Sequence, residues 1–141
     1  MFESSRMVQT PTIDIRLSDR QKTYTPSEHI YGMAIVETYV DTPFDHVEIQ
    51  FLGVSGISIE RWASMAATKT LSVVTHAFLT LRQPDLEVRY PSDRILRKGI
   101  PYEFPFVFVV PARLVEGACS HLVAHKNVRD AHLLLPPTLG D

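Results

Sequence analysis

The chain has 141 residues, a hydrophobic fraction of 45% and a formal net charge of −2 at pH 7. This length allows one domain with a substantial core, and the nearly balanced charge excludes a general attraction to nucleic acid or to an anionic membrane. The single cysteine excludes an intramolecular disulfide, and no apolar run approaches the ~20 residues that a membrane-spanning helix needs. These properties predict a cytoplasmic protein without a transmembrane segment.

The first third of the chain is typical of short strands separated by turns. Apolar and charged residues alternate over residues 13–17, which predicts a half-buried strand, and turn-forming residues follow up to residue 27. Residues 30–40 are rich in β-branched and aromatic side chains, and Gly32 among them indicates a bulge or the close approach of a neighbouring backbone. Residues 46–51 alternate cleanly and predict a strand with one face towards a core.

The middle of the chain continues this pattern. We expect the strand to pass through Gly53 and Gly56 with a bend, while residues 62–70 leave a helical turn and an irregular connection equally open. Residues 71–81 again have the composition of a strand, and residues 91–99 are polar and charged. Several short strands and no long helical period predict an all-β sandwich.

The segment from residue 102 to residue 110 is apolar at both alternating sets of positions, so we expect a strand covered from both sides. Pro105 cannot donate to a ladder, which predicts a sheet edge or a bulge at that point, and Pro111 ends the run. Residues 112–135 combine helix-like spacing with a glycine, and we interpret them as a connection that contains one helical turn.

Three segments of the chain are informative when they are taken together. They are Thr-Pro-Ser-Glu-His-Ile-Tyr-Gly at residues 25–32, His-Val-Glu-Ile-Gln-Phe-Leu-Gly at residues 46–53 and Pro-Phe-Val-Phe-Val-Val-Pro at residues 105–111. In this order they resemble the N-terminal domain of arrestins, and the resemblance covers residues 12–141. The tail, with Cys-Ser-His at residues 119–121 and His-Leu-Leu-Leu-Pro-Pro-Thr-Leu-Gly-Asp at residues 132–141, is similar to fungal-type arrestin-related proteins, the α-arrestins.

The resemblance implies an all-β fold, namely the immunoglobulin-like β-sandwich of the arrestin N-domain. It also implies a domain organisation in which residues 1–11 form a flexible N-terminal segment and residues 12–141 form a partial N-domain. We expect this sandwich to be incomplete at the C-terminus, because relatives continue through further strands into a C-terminal arrestin domain. An incomplete sandwich would leave strand edges unpaired.

The function implied by the resemblance is that of a non-enzymatic cytoplasmic adaptor. Such adaptors link membrane-protein cargo, such as transporter or receptor tails, to trafficking, endocytosis or ubiquitin-ligase factors. Recruitment to the plasma membrane or endosomes is the accompanying hypothesis, with peripheral membrane contact at most and no nucleic-acid partner. The ligase-binding motif Pro-Pro-x-Tyr is replaced by Pro-Pro-Thr-Leu at residues 136–139, so ligase recruitment by this chain is not claimed.

Two alternatives from other classes stay open. Cys119, His121, His125 and His132 carry side chains that bind zinc, which would support a small metal-dependent enzyme, but their spacing matches no common zinc finger. We therefore assign no catalytic, cofactor-binding or metal-binding residue and no cofactor. The other alternative is a truncated fragment that does not function alone.

Three further residues or motifs have competing interpretations. Ser55 lacks the second glycine of a nucleophile elbow, and a strand bend is favoured. The basic cluster of Arg94, Arg97 and Lys98 could touch an acidic tail or a lipid head group, but a solvated loop is favoured. Trp62 fits equally well as an anchor for a partner and as a lid over the core.

Overall fold

The structure is a computed structural model of the chain and describes residues 10–20, 22–63, 68–114 and 126–137. The predicted flexible segment lies largely in residues 1–9, outside the described residues. Within the described ranges the regular elements are seven strands, one α-helix and one 3₁₀ turn at Leu86–Arg89. They are β1 (Thr12–Leu17), β2 (His29–Glu37), β3 (Thr42–Pro43), β4 (Gln50–Ala63), β5 (Thr68–Arg82), β6 (Ile95–Leu96), β7 (Tyr102–Val109) and α1 (Lys126–His132). The predicted all-β class is confirmed.

The chain divides into two compact units. The first comprises Met1–Ile49 with Arg82–Val110, and the second comprises Gln50–Leu81 with Pro111–Asp141. The first unit therefore holds β1, β2, β3, β6 and β7, while the second holds β4, β5 and α1.

The centre of the first unit is an antiparallel sheet in which β2 lies between β1 and β7. The register places Ala34 opposite Ile15 on one side and opposite Phe104 on the other. Residues directly opposite each other share a face, so these three side chains lie on the same face of the sheet. On β2 and β7 that face forms the core, and its buried members are Ile30, Ala34, Val36, Phe104, Phe106 and Phe108.

The opposite face of β7 is not buried, which corrects the expectation that this strand is covered from both sides. Phe104 is completely buried, whereas Val107 and Val109 are 39% and 43% exposed. Valine suits a pleated strand on either face because of its branched side chain, so its presence did not require burial. The double apolar pattern therefore overestimated how much of this strand the protein covers.

Gly32 marks a close approach and not a bulge. It pairs in unbroken register with Leu17 on β1 and Phe106 on β7. A Cβ atom at this position would overlap the Phe106 ring and would lie 2.8 Å from the Arg16 carbonyl oxygen. The absence of a side chain at residue 32 therefore leaves the space that the Phe106 ring occupies against β2.

The predicted strand at residues 46–51 is wrong over its first four residues, because β4 begins only at Gln50. The Tyr90 hydroxyl accepts a hydrogen bond from the Val47 N–H at 2.6 Å and donates one to the Val47 carbonyl at 3.3 Å. A distant side chain thus takes the place of a ladder partner. Similarly, β2 ends at Glu37, three residues before the end of the predicted segment.

Local patterns also missed the short pairing of β3 with β6, where Thr42 lies opposite Leu96 and Pro43 opposite Ile95. The polar segment at residues 91–99 contains β6 and is held beside the end of β2. Buried Thr38 donates from its hydroxyl to the Leu96 carbonyl at 3.4 Å. Strands of two residues leave no periodicity for a sequence to reveal.

The second unit contains the β4–β5 pair, which runs through Gly53 and Gly56 without interruption, as predicted. Ser55 contacts His76, and Glu60 contacts Lys69. Because later positions of β4 meet earlier positions of β5, the two strands are antiparallel. Of the ambiguous residues 62–70, strand backbone reaches Ala63 and resumes at Thr68, and residues 64–67 lie outside the described residues.

The helix α1 begins after the helix-like spacing seen in the sequence. It spans Lys126–His132, two turns long instead of the expected one, and residues 115–125 lie outside the described residues. Next to it, the Leu114 N–H donates to the Leu133 carbonyl at 2.7 Å, and Arg113 forms a β-bridge with Leu134.

We predict that Gly32→Ala lowers the free energy of unfolding by about 1–3 kcal/mol, because the new methyl group overlaps the Phe106 ring and backbone at the same time. The matched control is Gly56→Ala, whose Cβ would meet its nearest neighbour at an ordinary 3.9 Å. Urea unfolding followed by circular dichroism measures both. Equal effects of the two substitutions would contradict the close packing at Gly32.

Candidate interaction surface

Strand β1 carries a row of backbone groups that face away from β2. The Ser18 N–H donates to the Tyr31 carbonyl at 3.0 Å, in register with the β1–β2 ladder. Hydrogen-bonded pairs alternate along an antiparallel ladder, so the even-numbered residues of β1 bond to β2. In the described residues β1 has no second neighbouring strand. The N–H and C=O groups of Ile13, Ile15 and Leu17 therefore point to the outer side of the sheet.

The side chains of β1 give this edge two distinct faces. Ile13 and Ile15 lie on the same face as the core residues of β2, yet they are 65% and 61% exposed. Asp14 and Arg16 lie on the other face and form an exposed ion pair at 2.8 Å. We call the outward backbone groups of β1, together with the side chains of residues 13–17, the β1 edge.

The opposite edge of the same sheet is occupied. On β7 the Val107 N–H donates to the Gln83 side-chain oxygen at 2.9 Å. Pro105 lies two residues earlier, on the same side of the strand, and has no N–H to offer. Proline and a covering side chain are common ways of blocking an edge strand. The sequence-based expectation of Pro105 at a sheet edge is confirmed.

The turn between β1 and β2 is held by one carboxylate. Glu28 accepts hydrogen bonds from the Thr25 N–H at 2.7 Å and the Thr25 hydroxyl at 2.9 Å, and it pairs with Lys22 at 3.0 Å. The Thr25 N–H above all, then Lys22, lowers the pKa of Glu28 to about 2. Beside it Ser27, at a positive φ of 72°, donates from its N–H to the Val110 carbonyl at 2.7 Å. This turn ties the start of β2 to the end of β7.

The predicted basic cluster serves the loop that contains it. Arg97 forms ion pairs with Asp41 at 3.1 Å and with Asp93 at 2.5 Å, and the Lys98 N–H donates to Asp41 at 2.9 Å. The Lys98 N–H and then Arg97 lower the pKa of Asp41. Arg94 donates to the Asp45 carbonyl. The guanidinium groups of two of the three basic residues are therefore bonded to other residues of the same chain. This favours a structural role for the cluster over a site for an anionic ligand.

Ser55 has the structural role of a residue within a strand. Its hydroxyl donates to the His76 backbone carbonyl at 3.3 Å.

The second unit also has an apolar surface of its own. Large apolar side chains are exposed along both strands of the hairpin, namely Leu52, Val54, Ile57 and Ile59 on β4 and Leu71, Val73 and Val74 on β5.

The residues considered for metal binding fall mostly outside the described part of the chain. Cys119, His121 and His125 lie outside it, as does the side chain of His132, whose backbone ends α1. Among described side chains no group of three or more potential ligands converges. The metal hypothesis stays a prediction, and so does the role of Trp62, whose side chain also lies outside the described residues.

Comparison with protein-family models identifies the family of the chain. A family model of the arrestin (or S-antigen) N-terminal domain matches residues 13–129, from within β1 to within α1. The chain belongs to this family. Its arrestin domain therefore has the β-sandwich fold class predicted from the sequence, and family membership indicates an arrestin-like adaptor role with protein partners.

A search among curated proteins adds no relative of the chain, because it returned no match. The similarity of its tail to α-arrestins stays a prediction, as do the boundaries proposed for its domains. No helix within the described ranges of the arrestin domain is long and apolar enough to cross a membrane.

The strand β1 is recognisable in the sequence, but its open edge is not. Whether a strand has one neighbour or two is decided by which other strands pair with it, and in the described residues β1 pairs with β2 alone. The alternation at residues 13–17 predicted a half-buried strand, and this prediction is wrong, because every residue of β1 is exposed. The opposite charges of Asp14 and Arg16 between three apolar residues are compatible with such an edge strand but do not say which side is open.

We predict that Glu28→Gln destabilises the protein at neutral pH and that this difference disappears in acid. A carboxylate whose pKa is depressed in the folded state contributes stability above its unfolded pKa, near 4.5, and loses it as the pH falls towards about 2. Urea unfolding midpoints of wild type and variant should therefore converge over that interval. Glu37→Gln, at an exposed position of β2, is the control. A difference that persists at the acid end would contradict the assigned role of the carboxylate.

Proposed function

We propose that the chain is a non-enzymatic cytoplasmic adaptor that binds extended segments of membrane-protein tails at the β1 edge. The observation that carries this proposal is the outward row of backbone groups on β1, flanked by exposed Ile13 and Ile15. Family membership supports an adaptor role and protein partners in general terms. The site and the kind of partner are our proposal.

Binding would occur by addition of a strand to the sheet. A cargo segment in extended conformation would exchange main-chain hydrogen bonds with Ile13, Ile15 and Leu17. Every second side chain of the segment would contact the exposed apolar side chains of residues 13, 15 and 17. The intervening side chains would approach Asp14 and Arg16. In this mode the backbone supplies affinity and the alternating side chains supply selectivity. Segments that alternate apolar residues with residues of both charges would fit best.

In the cell we propose that this binding serves membrane-protein trafficking or endocytosis, with recruitment to the plasma membrane or endosomes through the cargo. The near-neutral net charge supports recruitment by a protein and not by anionic lipid. Ubiquitin-ligase recruitment is the further step expected for such adaptors. Because residues 136–139 read Pro-Pro-Thr-Leu, a contact with the ligase would need a segment other than this one.

We predict that Ile15→Pro weakens the binding of tail peptides by about 1–3 kcal/mol, since one buried peptide carbonyl loses its donor. The N–H of residue 15 faces away from β2, so its removal takes no hydrogen bond from the β1–β2 ladder. Ile15→Val keeps the N–H and the branched side chain and serves as the matched control. An array of cytoplasmic tail peptides from membrane transporters identifies ligands, and fluorescence anisotropy measures their affinities.

Two results would count against the proposal. If Ile15→Pro bound the selected peptides as tightly as Ile15→Val, cargo would bind elsewhere than the β1 edge. If neither the array nor pull-downs with trafficking factors recovered ligands above a heat-denatured control, the adaptor role itself would lose its support.

A further inference from the structure

We propose that the β1 edge also pairs with the β1 edge of a second copy of this chain, antiparallel and about a two-fold axis at Ile15. The two three-stranded sheets would then form one continuous six-stranded sheet. The proposal rests on the hydrogen-bonding pattern of β1, on its charges and on the blocked state of the opposite edge. None of these depends on the identity of any cargo.

The hydrogen-bonding pattern permits this pairing without any change in β1. About an axis at Ile15, Ile15 lies opposite Ile15 of the second copy, and Ile13 lies opposite Leu17. These are the residues whose N–H and C=O groups face away from β2. In an antiparallel ladder, residues of a hydrogen-bonded pair exchange two bonds. The three pairs of this register would therefore use every outward backbone group between Ile13 and Leu17.

The charges select this register among its neighbours. An axis at Ile15 places Asp14 of each copy opposite Arg16 of the other, on the face where both already form an ion pair. The nearest alternatives with a compatible hydrogen-bonding pattern have their axis at Asp14 or at Arg16. Each of these places two like charges directly opposite each other, which is destabilising in a sheet. The strand is therefore complementary to itself in one register only among the three.

The apolar row supports the same arrangement. Ile13, Ile15 and Leu17 are exposed in the single chain although they share a face with the core residues of β2. In the pair they would contact their counterparts across the new ladder, where apolar side chains directly opposite each other stabilise a sheet. The exposed apolar surface of each copy would be reduced at the place where it is greatest on this sheet.

Association would stop at two copies. The far edge of the sheet is occupied at Val107 by Gln83 and lacks a donor at Pro105. An interface about a two-fold axis uses the same patch on both copies and closes on itself. Six residues on each side form a small interface, so the dimer should be weak and reversible.

One consequence rests on the proposed function. If cargo binds at the β1 edge, the dimer would hold that site closed until a cargo segment displaces the second copy.

The experiment exchanges the charges and measures association of the full chain by sedimentation equilibrium, without any peptide. Asp14→Arg and Arg16→Asp each place like charges opposite each other, and each should raise the dimer dissociation constant roughly tenfold. The double variant Asp14→Arg/Arg16→Asp restores opposite charges and should dimerise like wild type. An equimolar mixture of the two single variants should form a heterodimer, because one strand then carries two positive charges and the other two negative ones.

The control Glu103→Arg changes the net charge as Asp14→Arg does, on the same face of the sheet but on β7, and should leave dimerisation unchanged. Urea unfolding of each variant verifies its folding. A chain that stays monomeric up to its solubility limit would overturn the proposal, as would a dimer that responds equally to Asp14→Arg and Glu103→Arg. So would a mixture of single variants that associates no better than its components. Peptide binding by a chain that does not dimerise would leave the adaptor proposal standing and refute only this inference.

Discussion

The packing of the β7 aromatic row against β2 is the interaction on which the rest of the described sheet depends. Phe104 and Phe106 lie opposite Ala34 and Gly32, two small residues that leave room for the rings. A shift of one residue would move every aromatic side chain to the other face, so this packing fixes the register of the two strands. It also makes β2 the central strand, with β1 and β7 on its two sides.

The two edges of the sheet follow from this arrangement and differ in chemistry. On β7 the outward positions carry Pro105 and a Val107 whose N–H is taken by Gln83, so further pairing is obstructed. On β1 the outward positions carry ordinary donors and acceptors between exposed isoleucines. Natural proteins usually blunt edges of this kind with charged side chains. In β1 the charges are of both signs and lie symmetrically about Ile15, which in the proposed dimer favours one register of pairing.

Taken together, the two proposals give the β1 edge two competing partners, a cargo segment and a second copy of the chain. Both would use the same hydrogen-bonding groups, so occupancy depends on their relative concentrations and affinities. Neither pairing uses the turn held by Glu28 or the loop held by Arg97, which keep their own hydrogen bonds and ion pairs. Their charged groups stabilise the local backbone and need no ligand to satisfy them.

The sequence by itself indicated the five longer strands and the family, because alternation and turn residues are local signals and the motifs at residues 25–32, 46–53 and 105–111 follow one another in the order typical of the family. Only the tertiary structure decided which faces are covered and which edges are open. Val107 and Val109 are apolar, as core residues usually are, but they lie on an exposed face of the sheet. Val47 lies in a segment with the alternation of a strand, but its backbone bonds to the Tyr90 hydroxyl instead of to another strand. Helix α1 begins where a local reading placed no helix start. For Val47 the deciding partner, Tyr90, lies 43 residues away in the chain, and such long-range contacts leave no periodic trace in the residues that make them.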